Sequence, residues 1–202
     1  MENVNLEALA QAVLGRIFIE LEASGRPVHV TKDQALTLFG HGLTRDRDLS
    51  QPGQYVARER VTVVGPRGKF EQVAVLGPER KEAQVEISLT DGRQLGLQPP
   101  VQPSGTVSGS PGCTLIGPRG TVELSRGVIA AQRHIHMTPE DARNMGVQDG
   151  QLVKLQTYTG RALIFADVLV RVSPQFATYA HLDYDEANAC GFRKGDLGRI
   201  LL

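Results

Sequence analysis

The sequence predicts a mostly β protein: two related small β-barrel domains capped by short helices, plus an N-terminal amphipathic helix. Three observations support this prediction. They are helical apolar spacing near the start, many short β-rich runs between Gly-Pro turns, and one segment that recurs in both halves. A chain of 202 residues is long enough to bury two small cores. Its 22 basic and 22 acidic residues cancel, which argues against nucleic acid or a membrane surface as partner.

The first segment, residues 5–22, has the spacing of an amphipathic helix, and we assign residues 1–22 to it. Its apolar positions are Leu6, Leu9, Val13, Leu14, Ile17 and Leu21. Such a helix either packs on its own domain or docks onto a larger assembly. The N-terminus lacks the pattern of a secretory signal, and no apolar run approaches membrane-spanning length. We therefore expect a cytoplasmic protein whose two cysteines are small buried thiols.

After this segment, β-rich runs alternate with turns, as is typical of barrels and sandwiches. The tetrapeptide Gly-Pro-Arg-Gly stands between two such runs at residues 65–68 and again at residues 117–120. Residues 98–105, rich in proline, form the most linker-like stretch. We therefore place one barrel domain at residues 23–100 and a second at 101–202, allowing for strands exchanged between them.

An internal repeat is the most informative feature of the chain. Residues 26–33 (Arg-Pro-Val-His-Val-Thr-Lys-Asp) align with residues 133–140 (Arg-His-Ile-His-Met-Thr-Pro-Glu) at an offset of 107 (133 − 26). Residues 84–91 align with residues 179–186 at an offset of 95 (181 − 86). The order of elements is the same in both halves, as two related domains would produce.

The second half places His134, His136 and His181 at the repeated positions. Residues i and i+2 of a strand point to one face, so the first two imidazoles should lie side by side. His181 would add a third ligand from a distant segment. Three histidines suit zinc or a related divalent ion and leave coordination positions open, as in a catalytic site.

The first half holds Pro27, His29 and Glu86 at the same positions. Proline has no ligand atom in its side chain, so this half is a partial copy of the metal site. Arg80 lies six residues before Glu86. It is either a solvated surface residue or a phosphate ligand that uses bidentate, charge-assisted hydrogen bonds.

These motifs resemble the PduL-type phosphate propanoyltransferases, the phosphotransacylases of bacterial microcompartments. The resemblance spans roughly residues 20–195. It is carried by residues 133–142 (Arg-His-Ile-His-Met-Thr-Pro-Glu-Asp-Ala), 49–54 (Leu-Ser-Gln-Pro-Gly-Gln), 75–78 (Val-Leu-Gly-Pro), 84–86 (Gln-Val-Glu), 90–91 (Thr-Asp), 109–112 (Gly-Ser-Pro-Gly) and 185–189 (Asp-Glu-Ala-Asn-Ala).

The resemblance implies two β-barrel domains with an active site between them and a pair of zinc ions. His134, His136 and His181 would hold one zinc, and His29 with Glu86 would hold the other. Arg80 would bind phosphate. Asn188, Leu76 and Ser24 would contact coenzyme A, which is a substrate. The reaction would move a short acyl group between coenzyme A and inorganic phosphate.

The chain departs from the family pattern where the family has Arg-His-Val-His, because Pro27 replaces the first histidine. Ala74 stands where the family tends to have a basic residue. Three hypotheses follow. The first is a working phosphate acyltransferase acting on acyl-CoA or acyl phosphate. The second is an impaired relative that keeps one metal and serves microcompartment assembly or ligand binding. The third is a one-metal hydrolase or an acyltransferase with other substrates. The family resemblance also raises microcompartment proteins and a second copy of the chain as partners.

Overall fold

A computed structural model describes Gly15 and residues 17–202. These residues form two compact units. The barrel unit contains the described residues up to Ala23, together with Arg133–Leu182 and Glu186–Leu202. The sheet unit contains Ser24–Gln132 and Asp183–Asp185. No helix within the described ranges is long and apolar enough to cross a membrane.

The sheet unit contains nine strands and two helices among the described residues. They are β2 (Val28–His29), α1 (Lys32–Phe39), β3 (Arg45–Asp48), β4 (Tyr55–Val64), β5 (Lys69–Gly77), β6 (Gln84–Glu86), α2 (Leu89–Leu95), β7 (Val101–Gln102), β8 (Cys113–Ile116), β9 (Thr121–Leu124) and β10 (Val128–Ala131). The strands form one sheet in the order β7-β10-β6-β2-β5-β4-β8-β9, with β3 paired to β4.

The described elements of the barrel unit are β1 (Ile19–Ala23), β11 (His134–Met137), α3 (Pro139–Met145), β12 (Leu152–Tyr158), β13 (Ile164–Val172), β14 (Tyr179–Leu182), α4 (Tyr184–Cys190) and β15 (Leu197–Leu201). Its six strands form a closed barrel in the order β1-β14-β11-β13-β12-β15. The predicted mostly β fold class is confirmed, with one closed barrel and one larger sheet.

The internal repeat appears as one strand-and-helix motif built in each unit. Strand β11 runs parallel to β13 and antiparallel to β14, and β2 has the same relation to β5 and β6. The hydroxyls of Thr31, Ser88 and Thr138 cap helices α1, α2 and α3 by accepting a hydrogen bond from a backbone N–H of the first turn. Each of the four helices among the described residues is followed by a glycine with positive φ, a conformation that a side chain disfavours.

The strand that precedes each motif belongs to the sheet of the other motif. Strand β1 comes just before the first-half motif, yet it pairs in parallel with β14 of the barrel unit. Strand β10 comes just before the second-half motif, yet it pairs in parallel with β6 of the sheet unit. Each unit therefore takes one strand from the other half of the sequence.

The helix predicted over residues 5–22 is wrong in its last part, because Ile19–Ala23 is strand β1. Ile17 and Leu21 fit a helical spacing, but Ile19 and Leu21 also alternate with Glu20 and Glu22 at the strand period. Strands β14 and β15 pair with the backbone of β1. The side chains of Ile19 and Leu21 are each 1% exposed. Residues 1–14 and 16 of that prediction lie outside the described residues.

The segment predicted to link two domains, residues 98–105, lies inside the sheet unit instead. Val101 and Gln102 form β7, which pairs in parallel with β10. The Ser104 hydroxyl donates a hydrogen bond to Glu86. The division of the chain therefore falls at Ala23 and Arg133 and not near residue 100. Proline in this segment ends regular structure without creating a domain boundary.

Each unit has its own apolar core. The barrel core includes Leu21, Ile135 and Leu155, while the sheet core includes Val28, Leu38 and Leu115. Burying branched side chains from alternate strand positions is the main stabilising term. Cys113 and Cys190 are buried free thiols, as predicted, and burial raises the pKa of Cys113 to about 12.

Candidate metal centre

Strand β11 places His134 and His136 on one face of the barrel wall, because residues two apart in a strand project to the same side. The antiparallel partner β14 places His181 directly opposite His134. Two neighbouring strands thus bring together the three histidines that the sequence singled out. We call His134, His136 and His181 the histidine triad.

The three rings of the histidine triad are nearly equidistant. The ring centroids lie 4.6 Å apart for His134 and His136, and 4.9 Å apart for each ring and His181. One nitrogen from each ring lies within 4.8 Å of the other two. Within the described ranges, this is the one group of three or more potential His, Cys, Asp or Glu ligands close enough to hold a metal ion.

The surroundings of His136 and His181 favour neutral imidazole. Burial lowers the pKa of His136 to about 3, with further contributions from the charges of His134 and Arg171. Burial also lowers the pKa of His181 well below its ordinary value, again with the neighbouring imidazoles and Arg171 contributing. A metal binds the neutral ring, so these residues have no proton to lose near neutral pH.

Two nitrogens of the triad are buried without a hydrogen-bond partner: Nδ1 of His136 and Nε2 of His181. Buried polar atoms in folded proteins are nearly always paired, and the cost of leaving one unpaired is about 1–3 kcal/mol. A metal ion would satisfy such nitrogens. The residues of the barrel unit therefore fit the divalent metal that the family resemblance implies.

The sheet unit carries the matching positions with different side chains. Nε2 of His29 lies 4.0 Å from Oε1 of Glu86, and both residues are buried. The backbone N–H of Glu86 donates to the carbonyl of Pro27, which puts proline opposite Glu86 where His134 lies opposite His181. The position of the third ligand thus holds a side chain with no donor atom.

The carboxylate of Glu86 is held by neighbours of its own. Its Oε1 accepts hydrogen bonds from Nε2 of Gln84 (2.5 Å) and from the hydroxyl of Ser104 (2.8 Å). Burial, together with the charge of Arg80, lowers the pKa of His29 to about 3. His29 is therefore neutral at pH 7. Two ligand side chains, one of them already hydrogen-bonded, do not form a complete protein shell for zinc.

The other predicted site residues lie at identifiable places in the fold. Arg80 is half-buried beside an open pocket of about 320 Å³ that residues 52–54 and 77–80 line, and its backbone N–H donates to the carbonyl of Val30. Leu76 lies on β5 and Ser24 is the first residue of the sheet unit. Asn188 lies exposed on α4. His29, Glu86, Arg80, Leu76 and Ser24 all belong to the sheet unit.

A duplicated ion pair was missed by the sequence reasoning. Arg133 donates to Glu186 (2.7 Å) and to the carbonyl of Ala166, and its guanidinium lies 5.9 Å from the ring of Phe165. In the sheet unit, Arg26 forms two hydrogen bonds with Asp91 (2.7 and 2.8 Å) and lies 4.2 Å from the ring of Phe70.

Arg133 immediately precedes β11 and Arg26 lies two residues before the start of β2, and each acid lies on the helix after the opposing strand. The same offsets of 107 and 95 relate the two sets of residues, since 133 − 26 is 107 and 186 − 91 is 95. The repeat itself was thus the signal that could have revealed these pairs.

Comparison with known proteins extends over nearly the whole chain. The family model for phosphate propanoyltransferase matches residues 20–193. The chain is 51% identical over 198 residues to a phosphate propanoyltransferase of Listeria monocytogenes, covering 97% of this chain and 93% of that protein. It is 56% identical over 184 residues to one of Enterococcus faecalis (90% and 87%), and 49% identical over 207 residues to one of Clostridioides difficile (100% and 99%). The family resemblance drawn from the sequence is confirmed.

Proposed function

Because the chain belongs to the phosphate propanoyltransferase family, we propose that it transfers a short acyl group reversibly between coenzyme A and inorganic phosphate. A phosphate oxygen would attack the thioester carbonyl carbon, the carbon–sulfur bond would break, and coenzyme A would leave as its thiol. The substrates in the two directions would be acyl-CoA with phosphate, and acyl phosphate with coenzyme A.

The histidine triad is the observation that carries this proposal. Its rings offer three nitrogens within 4.8 Å of one another, and burial lowers the pKa of His136 and of His181, so these two can bind a zinc ion without first losing a proton. Bound there, zinc would supply a Lewis acid that polarises a carbonyl or phosphoryl oxygen. The protein's own part is to fix the three imidazoles on adjacent strands of a closed barrel, where little movement is needed on binding.

Arg80 would bind the phosphate. Its guanidinium is always charged and offers two parallel N–H donors to an oxyanion. It lies beside a pocket in the sheet unit, and its charge acts on buried His29. Leu76, Ser24 and Asn188 would contact coenzyme A, on the ground of the family resemblance. Catalysis would then depend on Arg80 to orient phosphate and to stabilise charge that develops during attack.

The His29–Glu86 pair fits a metal less well than the triad. It has two ligand side chains, and the hydrogen bonds from Gln84 and Ser104 already orient the carboxylate. A second zinc would need water or a substrate atom to complete its shell. We therefore propose one zinc bound by the protein alone, in the barrel unit, and derive no catalytic step from a second.

The alternative function is a catalytically impaired relative that keeps one metal and serves as a microcompartment assembly or ligand-binding protein. Pro27, opposite Glu86, is the specific observation that favours it. The two functions differ in whether the triad and Arg80 suffice for turnover.

Acyl phosphate formation from propanoyl-CoA and phosphate, with zinc or cobalt supplied, tests the proposal. The native protein should form propanoyl phosphate. Arg80→Gln should raise the KM for phosphate about 10-fold or more, since hydrogen bonds between charged groups contribute about 1.5–3 kcal/mol. Arg58→Gln removes the same charge at an exposed position of β4 and should leave the KM unchanged. No activity in the native protein, with activity in Pro27→His, would favour the impaired relative instead.

Enclosure in a microcompartment is proposed from the resemblance alone. Cofractionation of the protein with microcompartment shells tests enclosure, and recovery in the free soluble fraction would argue against it.

A further inference from the structure

The two ring nitrogens of His181 have different surroundings. Nδ1 lies 3.5 Å from Oε2 of Glu22, while Nε2 is buried without a hydrogen-bond partner. A neutral imidazole carries its single proton on one nitrogen and a lone pair on the other, and a nearby acceptor decides which. A carboxylate beside Nδ1 favours the proton there, which leaves the lone pair on Nε2.

Glu22 reaches His181 through the exchanged strand. β1 runs parallel to β14 with Glu22 in register with His181. Ile19 and Leu21, both buried in the barrel core, hold this register, since a shift by one residue would turn them outward. The side chain of Glu22 is 33% exposed and that of His181 is 13% exposed. Solvent therefore screens the contact only in part.

We propose that Glu22 is a positioning residue of the candidate metal centre. It holds His181 in the tautomer with the proton on Nδ1, so that Nε2 is presented to the metal. This inference rests on the proposed function in one respect, namely that the histidine triad binds a metal. A carboxylate that accepts the second ring N–H of a metal-binding histidine orients the ring and raises its basicity.

The sheet unit supplies an internal comparison. Ile129 of β10 is in register with Glu86 of β6, and Ile129 matches Glu22 at the repeat offset of 107 (129 − 22). In the barrel unit, the carboxylate of Glu22 faces the imidazole of His181. In the sheet unit, the apolar side chain of Ile129 faces Glu86, which is itself a carboxylate. A glutamate opposite Glu86 would add repulsion between like charges, whereas Glu22 opposite His181 offers an acceptor to a ring donor.

The test uses cobalt and zinc alone as probes, without substrate. Glu22→Gln keeps the shape of the side chain and removes its charge, and Glu20→Gln makes the same change on the same strand, opposite Tyr179 instead of His181. Glu22→Gln should weaken metal affinity about 10-fold in competition with a chelator, and should alter the visible absorption of the cobalt protein. Glu20→Gln should change neither.

Nitrogen chemical shifts of the His181 ring provide a second measurement. The native metal-free protein should show mostly the form protonated at Nδ1, and Glu22→Gln should show a mixture of both tautomers. Unchanged affinity and spectrum in Glu22→Gln, or equal losses in Glu22→Gln and Glu20→Gln, would overturn the inference. His134→Ala distinguishes a failure of the Glu22 inference from a failure of the proposed metal centre. If His134→Ala also leaves metal binding unchanged, the histidine triad does not bind the metal.

Discussion

The barrel unit and the sheet unit build the same strand-and-helix motif but equip it differently. In the barrel unit, the paired strands β11 and β14 carry three histidines with two unpartnered buried nitrogens. In the sheet unit, the corresponding segments carry Pro27, His29 and Glu86. Nδ1 of His29 is also buried without a hydrogen-bond partner, and Gln84 and Ser104 donate to the carboxylate. A backbone motif can therefore persist while its donor set changes, because strand pairing and capping do not depend on the ligand side chains.

The two units also differ in the residues that face the candidate ligands from a neighbouring strand. Glu22 faces His181, whereas Ile129 faces Glu86. The ion pairs that anchor the two motifs, Arg133 with Glu186 and Arg26 with Asp91, are kept in both units. The supporting framework is duplicated, whereas the complete set of three candidate histidine ligands occurs in the barrel unit.

The largest expected effect comes from removing a triad ligand. His134→Ala should abolish metal binding and lower acyl transfer by about 100-fold or more, since two imidazoles would remain of a three-ligand set. His29→Ala, the matched change in the sheet unit, should leave the metal content of the native protein unchanged. Elemental analysis after dialysis and the acyl phosphate assay measure both outcomes. Equal loss of metal in the two variants would show that the units do not differ as described.

Restoring the missing donor should make the units more alike. Pro27→His places imidazole opposite Glu86 in the position that His134 takes opposite His181, so the metal content should rise from about one toward two ions per chain. Pro27→Ala removes the proline ring without adding a donor and should leave the content near one. Two ions per chain in the native protein after dialysis, one of them lost in His29→Ala, would show that the sheet unit also binds a metal. This result would contradict the proposed difference between the units.

The smallest expected effect concerns the duplicated ion pairs. Arg26→Gln should lower the free energy of unfolding by about 2 kcal/mol, because the Asp91 carboxylate, only 4% exposed, loses two charged hydrogen bonds. Arg133→Gln should cost about 1 kcal/mol, since Glu186 loses one such bond and is more exposed. Arg126→Gln breaks an exposed pair with Glu82 and should change stability by less than about 0.5 kcal/mol. Urea unfolding compares the three, and a larger loss in Arg126→Gln than in Arg26→Gln would contradict the ranking.

Local patterns accounted for much of what the sequence could predict. The period of two in His134-Ile135-His136 is set within three residues, and it correctly placed both imidazoles on one face of a strand. The repeat then pointed to His181 without any structural information. In contrast, the apolar positions of Ile17, Ile19 and Leu21 fit both a helix and a strand, and only pairing with β14 and β15 decided for the strand. Local propensity is a weak guide where a strand is completed by distant partners.

What the sequence by itself determined is the list of candidate ligands, the loss of one of them at Pro27, and the duplication of the motif. Only the tertiary structure decided that His181 lies opposite His134, that β1 and β10 are exchanged, and that Glu22 therefore meets His181. The reason is physical: ligand identity and strand period are properties of neighbouring residues, whereas register between strands far apart in the chain follows from which apolar side chains the whole barrel can bury together.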